Sequence, residues 1–176
     1  DLDQLDLGWQ SLPSWPGAGR LLPVVVAQGD GQGNQLYLFG GQSTEVNRSP
    51  IYLTDAYCYR PQLQEWTTLA PIAANLGPPR SVFAASGVAV GTSDILIFSG
   101  VSGQINNRLA DLQTQINGAE TEAEKDSLTQ VRNDLYNQHP GFQRSVLAYH
   151  TITQSWTIAG QTPPFPSITT NIVPWE

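Results

Sequence analysis

The side chains best suited to chemistry are two arginines at matching points of the chain. Arg20 follows the turn that begins at Gly17, and Arg80 follows Pro78 and Pro79; each leads into an apolar run, Leu22–Val26 and Val82–Val90. An arginine in such a place can pair bidentately with a carboxylate, because its planar fork matches two oxygens. It equally suits a structural role, bonding loop carbonyls between adjacent units. A third matching point, near Ser167, lacks an arginine, so the fold does not demand one. Asn106 and Asn107 add amides able to hydrogen-bond hydroxyl or acylamino groups. Other candidates are weaker. His139 precedes Pro140 and His150 sits in an alternating stretch, and neither has metal-ligand spacing. Cys58 is the single cysteine, which excludes an intrachain disulfide and leaves the redox compartment open. No His or Lys adjoins it in sequence, so it reads as a small buried apolar residue. No glycine-rich loop leads to a lysine, and no Gly-x-Ser-x-Gly elbow occurs. We expect no metal and no cofactor, and the catalytic residues stay unassigned.

The elements that must hold these residues are announced by a phrase that occurs twice. The first copy is Gln35-Leu36-Tyr37-Leu38-Phe39-Gly40-Gly41, then Asp55-Ala56-Tyr57-Cys58-Tyr59, then Glu65-Trp66-Thr67-Thr68-Leu69. The second is Asp94-Ile95-Leu96-Ile97-Phe98-Ser99-Gly100, then Ser145-Val146-Leu147-Ala148-Tyr149, then Ser155-Trp156-Thr157-Ile158. An apolar strand ends in a small pair, an alternating strand centres on Tyr, and Trp opens a last strand. This order resembles the kelch repeat, one four-stranded blade of a β-propeller. The reading is an all-β, kelch-type propeller, partial over residues 1–176, with two complete blades and flanking strands. Trp9 is expected to open a last strand, and Thr169–Val173 to begin the inner strand of a third blade.

Phe39 and Phe98 lie 59 residues apart, near the kelch period of about 50. Trp66 and Trp156 lie 90 apart, so the second blade carries an insertion, 102–144. It reads as two helices. Leu109, Leu112 and Ile116 share one stripe, and Leu128, Val131 and Leu135 another, with a break at Asn117-Gly118. Thr121 and Glu124 form a capping box. Glu120, Glu122, Glu124 and Asp126 complement the helix dipole there and read as a solvated helix start rather than a metal site.

Composition narrows the partners. A net charge of −7 argues against nucleic acid, since phosphate contact needs clustered Lys and Arg. No apolar run approaches the ~20 residues of a membrane span. Gly 16 and Pro 13 suit many short strands joined by turns. The chain has no Met, so Asp1 is no initiator and we expect a processed product or a piece of something longer.

Strands within a blade alternate in direction outward from the axis. Arg20, Arg80, the segments after Phe39 and Phe98, and the insertion should therefore converge on one face, near the channel mouth. The succession of parts, with an acidic helical insertion between the Phe-Ser-Gly and Ser-Val-Leu-Ala-Tyr strands, is similar to the bacterial N-acetylneuraminate epimerases. These sialic acid mutarotases are six-bladed kelch propellers. The resemblance implies a carbohydrate isomerase that interconverts the α and β anomers of N-acetylneuraminic acid, in the periplasm or secreted. It also implies that Arg20 or Arg80 faces the sugar carboxylate, that Asn106 and Asn107 bond its hydroxyls or N-acetyl group, and that the remaining blades, or self-association, complete the ring. It places the catalytic base on a glutamate after the second strand of the next blade, so Glu176 is not that residue. Two other readings compete: a non-catalytic kelch module binding a protein or glycan, and a relative of the kelch-fold copper oxidases. The second lacks a convincing Tyr, His and Cys ligand set.

Overall fold

A computed structural model of the chain describes residues 6, 8–9, 11–43, 50–164 and 168–173. In chain order the strands are β1 (Arg20–Leu21), β2 (Val24–Gly29), β3 (Asn34–Phe39), β4 (Gln42–Ser43), β5 (Ala56–Arg60), β6 (Glu65–Thr68), β7 (Ser86–Val90) and β8 (Asp94–Phe98). The helices α1 (Gln104–Gly118) and α2 (Glu122–Asn137) follow, then β9 (Ser145–His150) and β10 (Ser155–Gln161). Two antiparallel sheets of four strands result, ordered β2-β3-β5-β6 and β7-β8-β9-β10, and β1 pairs with β4 beside the first. Each sheet is one blade.

Alternation makes these strands. Along β2, Val24, Val26 and Gln28 are buried while Val25 and Ala27 face out. The inward faces of the two blades share one core containing Val24, Val26, Phe39, Cys58, Ile95, Ile97, Leu147, Tyr149 and Trp156. Its centre is aromatic: Phe39 meets Tyr149 at 5.4 Å and Trp156 at 5.2 Å, in edge-to-face contact. The inner strands approach closely. A Cβ at Gly87 would lie 2.5 Å from Val24 Cγ1 and 2.8 Å from Val26 Cγ2, so only glycine lets β2 and β7 meet there. At the end away from the insertion, Gln28 Nε2 donates to the Val90 and Asp94 carbonyls at 3.0 and 2.7 Å. A turn of 3-10 helix at Ala74–Leu76 clasps the second blade's outer strand. Asn75 Nδ2 donates to the Trp156 carbonyl at 2.8 Å, and the Trp156 N–H donates to Asn75 Oδ1 at 3.2 Å.

Four expectations change. The inner strands begin at Val24 and Ser86, later than Leu22 and Val82. The reason is local: Leu22 and Ala84 adopt left-handed backbone, with φ of 46° and 58°, and the Ala84 N–H donates to the Leu22 carbonyl instead of joining a ladder. Trp9 opens no strand; it is wholly exposed and has no ladder partner among the described residues. Thr169–Val173 forms no strand either. It runs beside β7, held by Thr169 N–H to the Ala84 carbonyl at 2.9 Å and by the Ser86 hydroxyl to the Thr170 carbonyl. Two bonds of this kind position a segment without the repeating ladder a strand needs. Ser167 and Glu176 lie outside the described residues.

The insertion is the helical hairpin expected. Thr121 Oγ1 accepts from the Glu124 N–H at 3.2 Å, while Glu124 Oε2 accepts from the Glu120 N–H at 3.3 Å. Leu109 and Leu112 of α1 are buried and Ile116 half-buried; on α2, Val131 is exposed and Leu128 and Leu135 half-buried.

Candidate functional site

Register fixes which end of the blades is the mouth. Val24 pairs with Phe39 and Ser86 with Phe98, so inner-strand starts and second-strand ends share one end. Ile97 pairs with Leu147, so the hairpin leaves and returns there too. Arg20, Arg80, Asn106 and Asn107 all lie at this end.

They do different things. Arg20 is locked inside the first blade. Its Nη1 donates to Asp55 Oδ1 at 2.7 Å and to the Gly40 carbonyl at 2.9 Å, its Nη2 donates to Asp55 Oδ2 at 2.9 Å, and its Nε donates to the Ala18 carbonyl at 3.2 Å. Its guanidinium stacks on Trp15 and Tyr57, and its side chain is 1% exposed. The Tyr57 hydroxyl donates to Asp55 Oδ2 at 2.8 Å; burial and this bond raise the phenol above its ordinary range. Arg20 therefore fixes the Gly40 turn, and its donors leave no fork for the substrate carboxylate expected of it.

Arg80 is half-buried in a cleft of about 300 Å³ lined by Pro78, Ser102, Gln104 and Gln143. Its one side-chain hydrogen bond among the described residues is a long one, Nη1 to Ser145 Oγ at 3.4 Å. Gln143 Nε2 is buried with no partner among the described residues. Nearby in the chain, Ser99 stands where the first blade has Gly40. It keeps the left-handed backbone, with φ of 62°, and its buried hydroxyl has no partner among the described residues. A non-glycine residue there costs about 1 kcal/mol or more.

The asparagines divide. Asn107 Oδ1 accepts from the Tyr52 N–H at 3.1 Å, pinning the hairpin to the first blade. The contact is tight: a Cβ at Gly103, where φ is 79°, would lie 2.3 Å from Tyr52 Cβ. Asn106 is half-buried in a second cleft, about 330 Å³, with Tyr52, Gln113, Arg132 and Tyr136. Its Oδ1 lies 3.2 Å from His139 Nε2. His139 Nδ1 accepts from the Gly141 N–H, which assigns the proton to Nε2 and makes Asn106 the acceptor. His139 thus ties the end of α2 to the start of α1, and its imidazole is engaged on both nitrogens.

Sequence reading missed Ser102, Gln104, Gln143 and Ser145. Only Ser145 carried a signal, since it opens the phrase that Asp55 opens in the first copy. Cys58 is buried in the shared core, and burial pushes its thiol up, as a structural cysteine requires. Among the described residues no cluster of His, Cys, Asp and Glu suits a metal ion.

Two tandem four-stranded antiparallel blades, with inner-strand starts gathered at one mouth, define a kelch-type β-propeller. The solved structure titled "Structure of YjhT" shares this fold with a TM-score of 0.65, at 19% identity over 91% of this chain and 43% of that one. The family model described as N-acetylneuraminate epimerase matches residues 1–175, and the chain belongs to that family. The N-acetylneuraminate epimerase of Yersinia enterocolitica is 28% identical over 93% of this chain and 39% of its own length. That of Pasteurella multocida is 30% identical over 88% and 38%. A kelch domain-containing protein of Vibrio cholerae is 25% identical over 98% and 46%. The chain thus spans less than half the length of these relatives.

Proposed function

We propose that this chain forms part of a closed kelch propeller that interconverts the α and β anomers of N-acetylneuraminic acid, outside the cytoplasm. Family membership supports the reaction class. The observation in the chain itself that best supports a sugar-acid site is the Arg80 cleft. A half-buried cation, Ser102 and two glutamine amides meet there at the mouth, where the hairpin begins. Mutarotation opens and recloses the pyranose at the anomeric carbon. A base takes the anomeric hydroxyl proton while an acid protonates the ring oxygen. Neither group is assigned to this chain; its part is to hold the sugar. Arg80 takes the carboxylate, and the amides of Gln104 and Gln143 take hydroxyl or N-acetyl groups.

The test is anomer exchange of N-acetylneuraminic acid followed by NMR, on the propeller completed with its remaining blades. Exchange accelerated over buffer, and slowed at least about tenfold by Arg80→Ala, is expected, because one lost charge-assisted contact is worth about 1.5–3 kcal/mol. Unaccelerated exchange sinks the reading. The Vibrio cholerae relative, named only for its kelch domain, supports a second reading as a non-catalytic sugar or protein binder. Its signature is binding without acceleration.

A further inference from the structure

The first blade contains a finished version of what the second leaves open. In the first, Asp55 holds Arg20 bidentately and Tyr57 both stacks on that guanidinium and donates to the carboxylate. Strand register identifies the counterparts. Leu38 pairs with Tyr57, and Ile97 pairs with Leu147, each strand position preceding its Phe-small-Gly phrase by one. Leu147 therefore stands where Tyr57 does, and Ser145 where Asp55 does. Arg80 is offset from Arg20 by two residues, standing six before Ser86 where Arg20 stands four before Val24, yet its side chain reaches that same spot, with Nη1 3.4 Å from Ser145 Oγ. Two of the side chains that immobilise Arg20 have been exchanged, the carboxylate for a short hydroxyl and the phenol for an aliphatic chain.

The exchange has a chemical consequence. Serine is shorter than aspartate, so it leaves room beside the guanidinium and gives it no counter-charge. No carboxylate among the described residues pairs with Arg80. Where Arg20 is sealed, Arg80 lines a cleft shared with Ser102, Gln104 and Gln143. A planar fork held this way gains two parallel charge-assisted bonds from an incoming carboxylate.

We infer that Ser145 is the specificity residue of this cleft. By omitting the carboxylate that the first blade supplies internally, it reserves the Arg80 guanidinium for the carboxylate of a ligand. Ser145 acts through Arg80 and is a positioning residue rather than a catalytic one. The identity of the ligand as a sugar acid rests on the function proposed above; the demand for a carboxylate does not. The same logic makes Ser145→Asp a self-inhibiting change, in which the new side chain occupies the ligand's place as Asp55 does beside Arg20.

The experiment compares N-acetylneuraminate with its uncharged methyl ester, by calorimetry on the completed propeller. Wild type, Ser145→Asp and Ser145→Asn are titrated, with thermal unfolding to confirm the fold. Asparagine matches aspartate in size and lacks its charge. Ser145→Asp should lower affinity for the acid at least about tenfold more than Ser145→Asn does, the scale of one charge-assisted contact, and affect the ester equally in both variants. Equal loss of acid affinity in the two variants, or an extra loss in Ser145→Asp that extends to the ester, overturns the inference. Should Ser145→Asp fail to fold, Arg80→Gln serves instead: it must abolish the wild-type preference for acid over ester, and a surviving preference is equally fatal. Anomer exchange measured in parallel separates the two claims. Acid preference without exchange removes the mutarotase reading and leaves the Ser145 assignment standing. Exchange without acid preference does the reverse.

Discussion

Arg20 and Asp55 hold each other through two short bonds, with one partner sealed from water and the other partly wet. Removing one member of such a pair strands the other, and this stranding, more than the lost attraction, sets the cost. Asp55→Asn should therefore destabilise the chain by about 2–3 kcal/mol, measured by urea unfolding, and loosen the turn at Gly40. An unchanged midpoint would show that the pair is ornamental. Arg80 makes a weaker contact with Ser145, so Ser145→Ala should shift the same midpoint far less. Two buried phenols give a pH dependence. Burial raises Tyr37 and Tyr149 far above the ordinary value of 10.0, with the neighbouring Cys58 adding to it. A raised acid contributes stability fully present below its unfolded value and lost as pH rises toward the folded one. The fold should hold steady up to about pH 10 and weaken above it, with ionisation of these two phenols, assigned by comparing the 295 nm signal with Tyr37→Phe and Tyr149→Phe variants, tracking unfolding rather than preceding it. Ionisation of Tyr37 or Tyr149 in a chain that is still folded would contradict this burial.

At the scale of elements, the hairpin is pinned to the first blade at the start of α1, where Asn107 Oδ1 accepts from the Tyr52 N–H, and α1 carries the buried side chains of the hairpin. Leu112 is 1% exposed and Leu109 is buried, whereas α2 buries no residue completely. Leu112→Ala should cost about 2–4 kcal/mol and release the hairpin to limited proteolysis between α1 and α2, with the core strands still protected from hydrogen exchange. Global loss of exchange protection would mean that the hairpin is part of the blade core. The hairpin was legible because two local signals agreed, the apolar spacing of Leu109, Leu112 and Ile116 and the cap at Thr121. The blade strands were legible for the same reason, since Phe39, Tyr59 and Trp66 recur in fixed order as Phe98, Tyr149 and Trp156. What failed was non-local. Apolar content at Leu22 and Val82 suggested strand, but the left-handed turns at Leu22 and Ala84 are set by one inner segment bonding to the other. Arg20 and Arg80 looked alike in sequence because each precedes an inner strand. They differ in a two-residue offset before those strands and at positions 55 and 145, which reach them only after three strands have paired. Gln143 entered no motif, since its place depends on where the hairpin returns.

At the scale of the whole molecule, the described residues form one buried interface between blades and leave two blade faces open. The faces of the blades that meet are closed by the aromatic core, but the far face of the first blade is only partly covered. Residues 11–18 cross it, with Trp66 Nε1 donating to the Pro13 carbonyl at 2.7 Å and Trp15 meeting Trp66 edge-on at 6.3 Å. Between them a groove of about 260 Å³ is lined by Leu12, Trp15, Val25, Leu36, Leu38 and Trp66, and Val25 remains 51% exposed. On the other side, β7 is nowhere fully buried, and Thr169–Val173 touches it without pairing. Blades in a propeller cover such surfaces with their neighbours, and a repeat unit bears its cost of exposure wherever a neighbour is absent. Uncovered apolar faces and unpaired strand edges associate. The 176-residue chain alone should therefore show a sedimentation coefficient that rises with concentration and should bind an apolar dye. Val25→Lys together with Leu12→Ser should reduce both while leaving the inter-blade core, which neither residue enters, with an unchanged unfolding midpoint to within about 0.5 kcal/mol. A compact monomer at every concentration would refute this, and would mean that two blades with residues 11–18 folded over one of them already make a self-sufficient unit. Association abolished by these substitutions, and also by addition of the other blades of the proposed ring as a separate chain, would identify the far face of the first blade as the seam at which the ring closes.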